Sequence, residues 1–176
     1  RTHRQGRRHE YLATPESKEP LYSQIVKSME KWRAAYPNSR VAPVVLAHLY
    51  QRRAFNLRGG GFADEVWKEN WDPFFEHLKK AKAALVKSKK TAQSNPRWYS
   101  TMIVVASALQ EPRDKILEIA REGAAKNPTH LVTYLSTLNS LLPQWGGTIP
   151  QVKAWIEEAS AIAKAIEGES LYARLY

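Results

Sequence analysis

The residues best suited to binding chemistry lie in one short break between two apolar stretches, Gln144-Trp145-Gly146-Gly147. An indole ring can stack on a ligand and donate its N–H, and glycine lets another group approach the backbone closely. Two interpretations compete: a corner that binds a ligand or partner, and a tight turn with Trp145 wedged into the core. We favour the turn, because tryptophan is usually buried and glycine usually serves geometry.

The neighbouring residues fix this corner between two predicted helices. Pro143 ends the first helix, because it brings no N–H and disfavours the helical conformation in the residue before it. Gly146-Gly147 then allow a turn with positive φ. Thr148 and Gln151 form a capping box that opens the second helix.

A second glycine-rich segment, Arg58-Gly59-Gly60-Gly61, superficially resembles a phosphate-binding loop. It lacks the preceding strand and the Gly-Lys-Ser/Thr ending that such a loop needs. A flexible break after a helix is therefore the favoured interpretation.

The pattern of titratable residues favours neither a metal site nor a catalytic group. The chain has no cysteine, and no histidine has a partner at metal-ligand spacing. Nothing selects one serine as a nucleophile. We therefore predict no catalytic residue, no metal and no cofactor, and we expect His48, in an apolar stripe, to be a hydrogen-bonded core residue.

The positive charge is concentrated in two stretches. The net charge is +10, and residues 1–10 with residues 79–90 account for nearly all of it. The lysines spread around a helix, which is typical of a solvated helix end; a phosphate or anionic-lipid patch is the alternative. We predict only weak, non-specific nucleic-acid binding. The basic residues are Arg1, Arg4, Arg7, Arg8, Lys79, Lys80, Lys82, Lys87, Lys89 and Lys90.

Apolar residues recur at helical spacing throughout the chain after Ser17. The segment 64–89 keeps one phase across Pro73, which predicts one kinked helix; the alternative is a helix that begins at Asp72-Pro73. We see no lasting period-two alternation and predict no strand. The predicted helices are 17–36, 39–58, 64–89, 96–109, 112–126, 129–142 and 148–166, followed by a last helical piece at 170–176.

These segments predict an all-α fold, with a basic arm at 1–16 and one helical domain at 17–176. Asn95-Pro96 recurs as Asn127-Pro128, an interval close to the ~34 residues of TPR helix hairpins. We therefore expect about seven helices stacked as antiparallel hairpins in a short TPR-like superhelix. No apolar run approaches the ~20 residues of a membrane span. Any targeting segment would lie upstream of Arg1, and the compartment cannot be predicted.

From about Trp32 onward the chain resembles a bacterial domain-of-unknown-function family of TPR-like helical proteins. The resemblance lies in residues 58–61 with Val66 and Trp71, in 95–99, in the Leu-Leu-Pro-x-Trp-Gly-Gly motif at 141–147, and in 168–176. The family usually has Arg before the motif's Trp, where this chain has Gln144. The resemblance implies an all-α fold and carries no known chemistry.

Three functions are consistent with these features. We favour a non-enzymatic module that binds a peptide or partner protein, because helical repeats expose a groove. A nucleic-acid-binding accessory protein that uses the basic arm and the lysine run is the first alternative, and a hydrolase is the second. The candidate partner-binding residues are Arg58, Trp67, Trp71, Trp98, Tyr99, Tyr134, Gln144, Trp145, Gly146 and Gly147.

Overall fold

The computed structural model describes residues 19–176, so the predicted arm at 1–16 and Ser17, where the first helix is predicted to begin, lie outside it. The described residues form eight α-helices and no strand, which confirms the all-α prediction. The TPR-like stacking stays a prediction. The helices are α1 (Glu19–Ala35), α2 (Ala42–Arg58), α3 (Trp71–Ala92), α4 (Pro96–Ala108), α5 (Arg113–Lys126), α6 (Leu131–Ser140), α7 (Ile149–Glu167) and α8 (Ser170–Leu175).

The predicted kinked helix at 64–89 is wrong. Residues Ala63–Glu65 and Lys68–Asn70 form two short 3₁₀ turns, and α3 begins at Trp71. Proline has no N–H and its ring clashes with the carbonyl four residues earlier, so Pro73 fits only the first turn of a helix. The alternative start at Asp72-Pro73 was therefore closer.

The buried face of α2 also differs from the stripe that helical spacing predicts. The predicted stripe consists of Val41, Val44, Val45, His48, Leu49 and Phe55. Of these, Val44 alone is buried, and Leu46 lies in the core instead. Alanines make up most of the rest of this face and let α2 pack closely on α3, a pattern that a search for large apolar residues misses. Ser39, predicted as the first residue of the helix, accepts a hydrogen bond from the backbone N–H of Ala42 at 3.1 Å.

Helix α4 is central to the fold. Most of its side chains are buried, and they contribute to two core clusters. One cluster joins α4 to α2 and α3, and includes Trp98 and Tyr99. The other joins α4 to α5, α6, α7 and α8, and includes Tyr134 and Trp155. Because both sides of α4 are packed, the turns at its end are held between the two halves of the chain.

The helix starts predicted at Asn95-Pro96 and at Thr148 are confirmed. The side chain of Asn95 accepts a hydrogen bond from the backbone N–H of Arg97 at 3.1 Å. Thr148 and Gln151 form the predicted capping box, with bonds of 3.0 and 3.4 Å. Gly168 ends α7 with a φ of 58°, which favours glycine.

Candidate functional site: an aromatic cleft

Two glycine-rich segments that are far apart in sequence meet at one cavity of about 620 Å³. It lies between the loop after α2, the start of α3, the turn between α4 and α5, and the corner before α7. We call it the aromatic cleft. Its aromatic walls are Phe62, Trp71, Phe74, Phe75 and Trp145, and its polar lining includes Arg58, Gln110, Glu111, Arg113 and Gln144.

The loop after α2 is fixed by its arginine. Gly59 and Gly61 have φ values of 81° and 98°, which turn the backbone back on itself. The Nη1 of Arg58 donates to the carbonyl oxygens of both glycines at 3.2 Å. Its guanidinium also lies 5.4 Å from the centre of the Trp71 ring, a cation–π distance. The loop thus holds a charged group against the aromatic wall of the cleft.

The corner on the opposite side of the cleft is fixed by Arg113. Its Nη2 donates to the carbonyl oxygen of Trp145 at 3.0 Å, and its Nη1 donates to the carbonyl oxygen of Ser140. Ser140 is the last residue of α6, so the guanidinium satisfies a carbonyl at a helix end. Gly146 turns the chain with a φ of 78°, as predicted.

Gly147 does not have the predicted positive φ, and a close approach of the backbone requires glycine there instead. A Cβ atom at this position would lie 1.9 Å from the carbonyl oxygen of Leu141. Its backbone N–H donates to the carbonyl oxygen of Leu142 at 3.2 Å. The chain therefore passes too close to the end of α6 for any other residue.

The favoured prediction that Trp145 is wedged into the core is wrong. Its side chain is half-buried and lines two cavities, because the short 3₁₀ turn Pro143–Trp145 holds it at the surface of the bundle. The indole Nε1 is shielded from solvent and has no hydrogen-bond partner among the described residues. An unpaired buried donor costs about 1–3 kcal/mol, so this ring is not held in place by its N–H.

A second cavity of about 180 Å³ adjoins the aromatic cleft and shares Ser107, Ala108 and Trp145 with it. We call it the side pocket. Its other lining residues are Gln51 and Phe55 from α2, Val104 from α4, and Ser136, Asn139 and Ser140 from α6. Its exposed surface is mainly apolar, with amide and hydroxyl groups among the lining residues. The ring of Trp145 therefore lies between two adjoining cavities.

Positive charge dominates the ionisable lining of the cleft. Within residues 19–176, neither Arg58 nor Arg113 forms an ion pair. Glu111 also lines the cleft, but it pairs with Lys82 on α3. A guanidinium group beside an aromatic ring, with a second guanidinium lining the same cavity, can bind an anion that carries an apolar group.

Half of the predicted partner-binding residues lie at this cleft: Arg58, Trp71, Gln144, Trp145 and Gly146. Gly147 shapes the corner behind it. Trp67 is 72% exposed but does not line the cavity.

The other three predicted contacts, Trp98, Tyr99 and Tyr134, need correction because they are buried in the core. The indole N–H of Trp98 donates to the carbonyl oxygen of Leu85 at 2.9 Å. The hydroxyl of Tyr134 donates to the carbonyl oxygen of Pro128 at 3.0 Å. They support the helices around the cleft rather than contact a partner.

Several residues of the cleft are not predicted from the sequence, above all Phe62, Arg113 and Gln110. A weak signal existed for Arg113, since a cation in the first turn of a helix opposes the helix dipole and needs another partner. Gln110 has a φ of 57°, the sole positive φ of a residue other than glycine in the described chain. Its side-chain type gives no warning of that conformation.

The lysine run lies on α3, and none of its members lines the cleft. Lys80 pairs with Glu76 at 2.6 Å, Lys82 pairs with Glu111, and Lys89 pairs with Glu122 at 2.8 Å. Lys79, Lys87 and Lys90 are exposed and form no ion pair with residues 19–176. The arginines of the predicted arm lie outside the described residues.

The histidines of the described chain lie apart from the cleft. His48 Nδ1 lies 3.3 Å from the side-chain oxygen of Gln51, and burial lowers the pKa of His48. His77 Nδ1 lies 2.8 Å from the carbonyl oxygen of Pro73. No group of three or more His, Asp or Glu side chains in residues 19–176 is arranged to hold a metal ion.

Comparisons with known proteins identify no relative: no protein-family model matches the chain, and neither a curated protein nor a solved structure does. The resemblance to a TPR-like family thus stays a prediction. Among residues 19–176, every helix is too short or too polar to cross a membrane.

Proposed function

We propose that this chain is a non-enzymatic binding module that receives a peptide or partner protein in the aromatic cleft. The observation that carries the proposal is the meeting of the loop at 58–62 with the corner at 143–147 around one cavity. Each segment is built by glycines and held by an arginine, so the cavity is formed before any partner arrives. A preformed site loses less entropy on binding.

The composition of the cleft supports binding rather than catalysis. Aromatic side chains and arginine are the residues that contribute most to protein interfaces. Phe62 is 74% exposed at the rim, which is unusual for a large apolar side chain without a partner. The cavity lies within the 300–1,000 Å³ range of ligand sites, at about 620 Å³.

The nucleic-acid alternative has less support. Of the six lysines in the run, three are paired with glutamates, and none reaches the cleft. A strand bound in the cleft would meet two arginines without a further track of cations for its phosphates.

Selection from a phage library of short random peptides tests the proposal. Wild-type protein should enrich a consensus, and Phe62→Ala should lose the enrichment because the substitution removes an exposed wall of the cleft. Trp67→Ala is the matched control, since Trp67 is equally exposed on the same loop but does not line the cavity. Failure to enrich any consensus, or equal loss in both variants, would overturn the proposal.

A further inference from the structure

We infer that the aromatic cleft binds an internal segment of a partner polypeptide in which an Asp or Glu side chain stands beside an aromatic or aliphatic one. The inference rests on the proposed function and specifies the partner's chemistry. It follows from the hydrogen-bonding capacity, charge and shape of the cleft.

The two arginines of the cleft have unused donors. A guanidinium carries five N–H groups. Arg58 uses Nη1 for the carbonyls of Gly59 and Gly61, and Arg113 uses one N–H from each of its terminal nitrogens for Ser140 and Trp145. About three N–H groups remain on each arginine for a ligand. A carboxylate is the group that matches a guanidinium in shape and charge.

Glu111, the acidic residue that lines the cleft, and Glu65, on the loop beside it, are already engaged. Glu111 forms an ion pair with Lys82, whose amino group lies on α3. The Oε2 atom of Glu65 accepts the backbone N–H of Phe62 at 2.9 Å, which fixes the loop. A carboxylate that complements Arg58 or Arg113 therefore comes from the ligand.

The walls specify what lies beside that carboxylate. Phe62, Trp71 and Phe75 line the cavity without being fully buried, so their exposed faces can pack on an apolar side chain. Trp71 and Phe75 are stacked with ring centres 5.8 Å apart, which makes a flat wall. A carboxylate flanked by an aromatic or aliphatic group satisfies both parts of the cleft.

The side pocket favours a chain that runs through the site over one that ends there. It adjoins the aromatic cleft at Trp145, its surface is mainly apolar, and its lining also includes the side chains of Gln51, Ser136 and Asn139. Amide and hydroxyl groups can pair with the N–H and C=O groups of an extended peptide. A terminal carboxylate would suit a single closed pocket, whereas two adjoining cavities suit an internal segment.

The sequence of this chain's own arm does not complement the cleft. Residues 1–10 carry four arginines and one glutamate, a net positive charge. Arg58 and Arg113 of the cleft would repel this charge. Charge complementarity thus favours an acidic partner segment.

The same peptide selection tests the inference through the composition of the enriched sequences. We expect Asp or Glu next to Phe, Tyr, Trp, Leu or Ile. An enriched consensus that is neutral or basic would overturn the inference and leave the proposed function standing. Absence of any consensus would overturn both.

Affinities of one selected peptide and its Glu→Gln or Asp→Asn form then test the role of Arg58. Arg58→Gln should weaken the acidic peptide at least about tenfold, since a hydrogen bond to a charged group is lost. Because Arg58 also holds the loop at 59–61, the amide form measures any loss that comes from a disturbed loop, and the acidic form should lose at least about tenfold more affinity than the amide form. Arg52→Gln, exposed on the same helix and away from the cleft, is the control. Equal losses for the acidic and amide forms would overturn the inference.

Two further arms of the test exclude other occupants. We expect that Phe62→Ala does not change the binding of a labelled single-stranded oligonucleotide, and that it does not change the oligomeric state measured by sedimentation. Oligonucleotide binding that Phe62→Ala weakens would assign the cleft to nucleic acid. Self-association that Phe62→Ala abolishes would assign the cleft to another copy of the chain. Either would overturn the inference.

Discussion

The Nη2 atom of Arg113 lies 3.0 Å from the carbonyl oxygen of Trp145, and this hydrogen bond ties the start of α5 to the corner before α7. The same guanidinium bonds the carbonyl of Ser140 at the end of α6. One side chain thus fixes the position of a cleft wall relative to two helices. Arg113 serves the fold and the site together.

Replacing Arg113 by Ala should lower the free energy of unfolding by about 1–3 kcal/mol, because two carbonyls lose a charged donor. Urea denaturation measures this change. Lys115→Ala, exposed on the same helix, is the control and should stay within about 0.5 kcal/mol of wild type. Equal stability of the Arg113 variant and the control would contradict this role.

Gly147→Ala should destabilise the protein by at least about 3 kcal/mol, the upper range for forced packing. The new Cβ would meet the carbonyl oxygen of Leu141 at 1.9 Å, and backbone cannot yield as a side chain does. Gly60→Ala is the matched control, because its Cβ would meet nothing within 4 Å. Thermal melts of the two variants should differ clearly, and similar melts would show that the corner can relax.

Trp145→Phe and Trp155→Phe should change stability differently. The indole N–H of Trp155 donates to the carbonyl oxygen of Tyr134 at 3.2 Å, whereas that of Trp145 has no partner in the described chain. Removing the bonded N–H should cost about 1–2 kcal/mol. Removing the unpaired one should change stability by less than about 1 kcal/mol, since lost packing is offset by relief of an unsatisfied donor. A large loss for Trp145→Phe in urea denaturation would contradict the arrangement.

The lowered pKa of Glu122 predicts that the stability of the protein depends on pH. Burial alone would raise its pKa, but hydrogen bonds from Lys126, Lys89 and Tyr99 outweigh burial and lower its pKa to about 2. A carboxylate with a depressed folded pKa stabilises the protein above its unfolded pKa of about 4.3 and loses that contribution as pH falls towards 2.

The Glu122→Gln variant tests this directly. Wild type should be more stable by about 1–2 kcal/mol at neutral pH, a value reduced for solvent screening, and the difference should vanish near pH 2. Glu118→Gln is the control, since Glu118 is exposed on the same helix and forms no ion pair with residues 19–176. A difference that persists unchanged at low pH would contradict the assignment.

Nucleic-acid binding should be weak. At about 150 mM salt, duplex DNA should bind no tighter than roughly 10⁻⁶ M, the tight end of non-specific affinities. Fluorescence anisotropy at several salt concentrations measures it. A sequence-selective complex that resists salt would favour the nucleic-acid alternative.

The helices could be predicted because their signals are local. Asn95 before a proline and Thr148 three residues before Gln151 mark helix starts without knowledge of the rest of the fold. The prediction at 64–89 fails because apolar spacing continues through two 3₁₀ turns, and spacing alone does not distinguish a proline that kinks a helix from one in its first turn.

The cleft could not be predicted as one site, because its parts come from four distant segments that are brought together by the packing of helices on both sides of α4. Arg58 and Trp145 were both candidates, but nothing in their spacing places them around one cavity. The exposure of Trp145 likewise depends on how the corner sits against α4 and α6, which side-chain type alone does not determine.

Hydrogen exchange with and without a selected peptide tests most directly whether the two segments form one site. The account predicts that backbone amides at 59–63 and at 144–147 slow together when the peptide binds, while those in the lysine-rich end of α3 do not change. Protection confined to one of the two segments, or found at the lysine run instead, would contradict it.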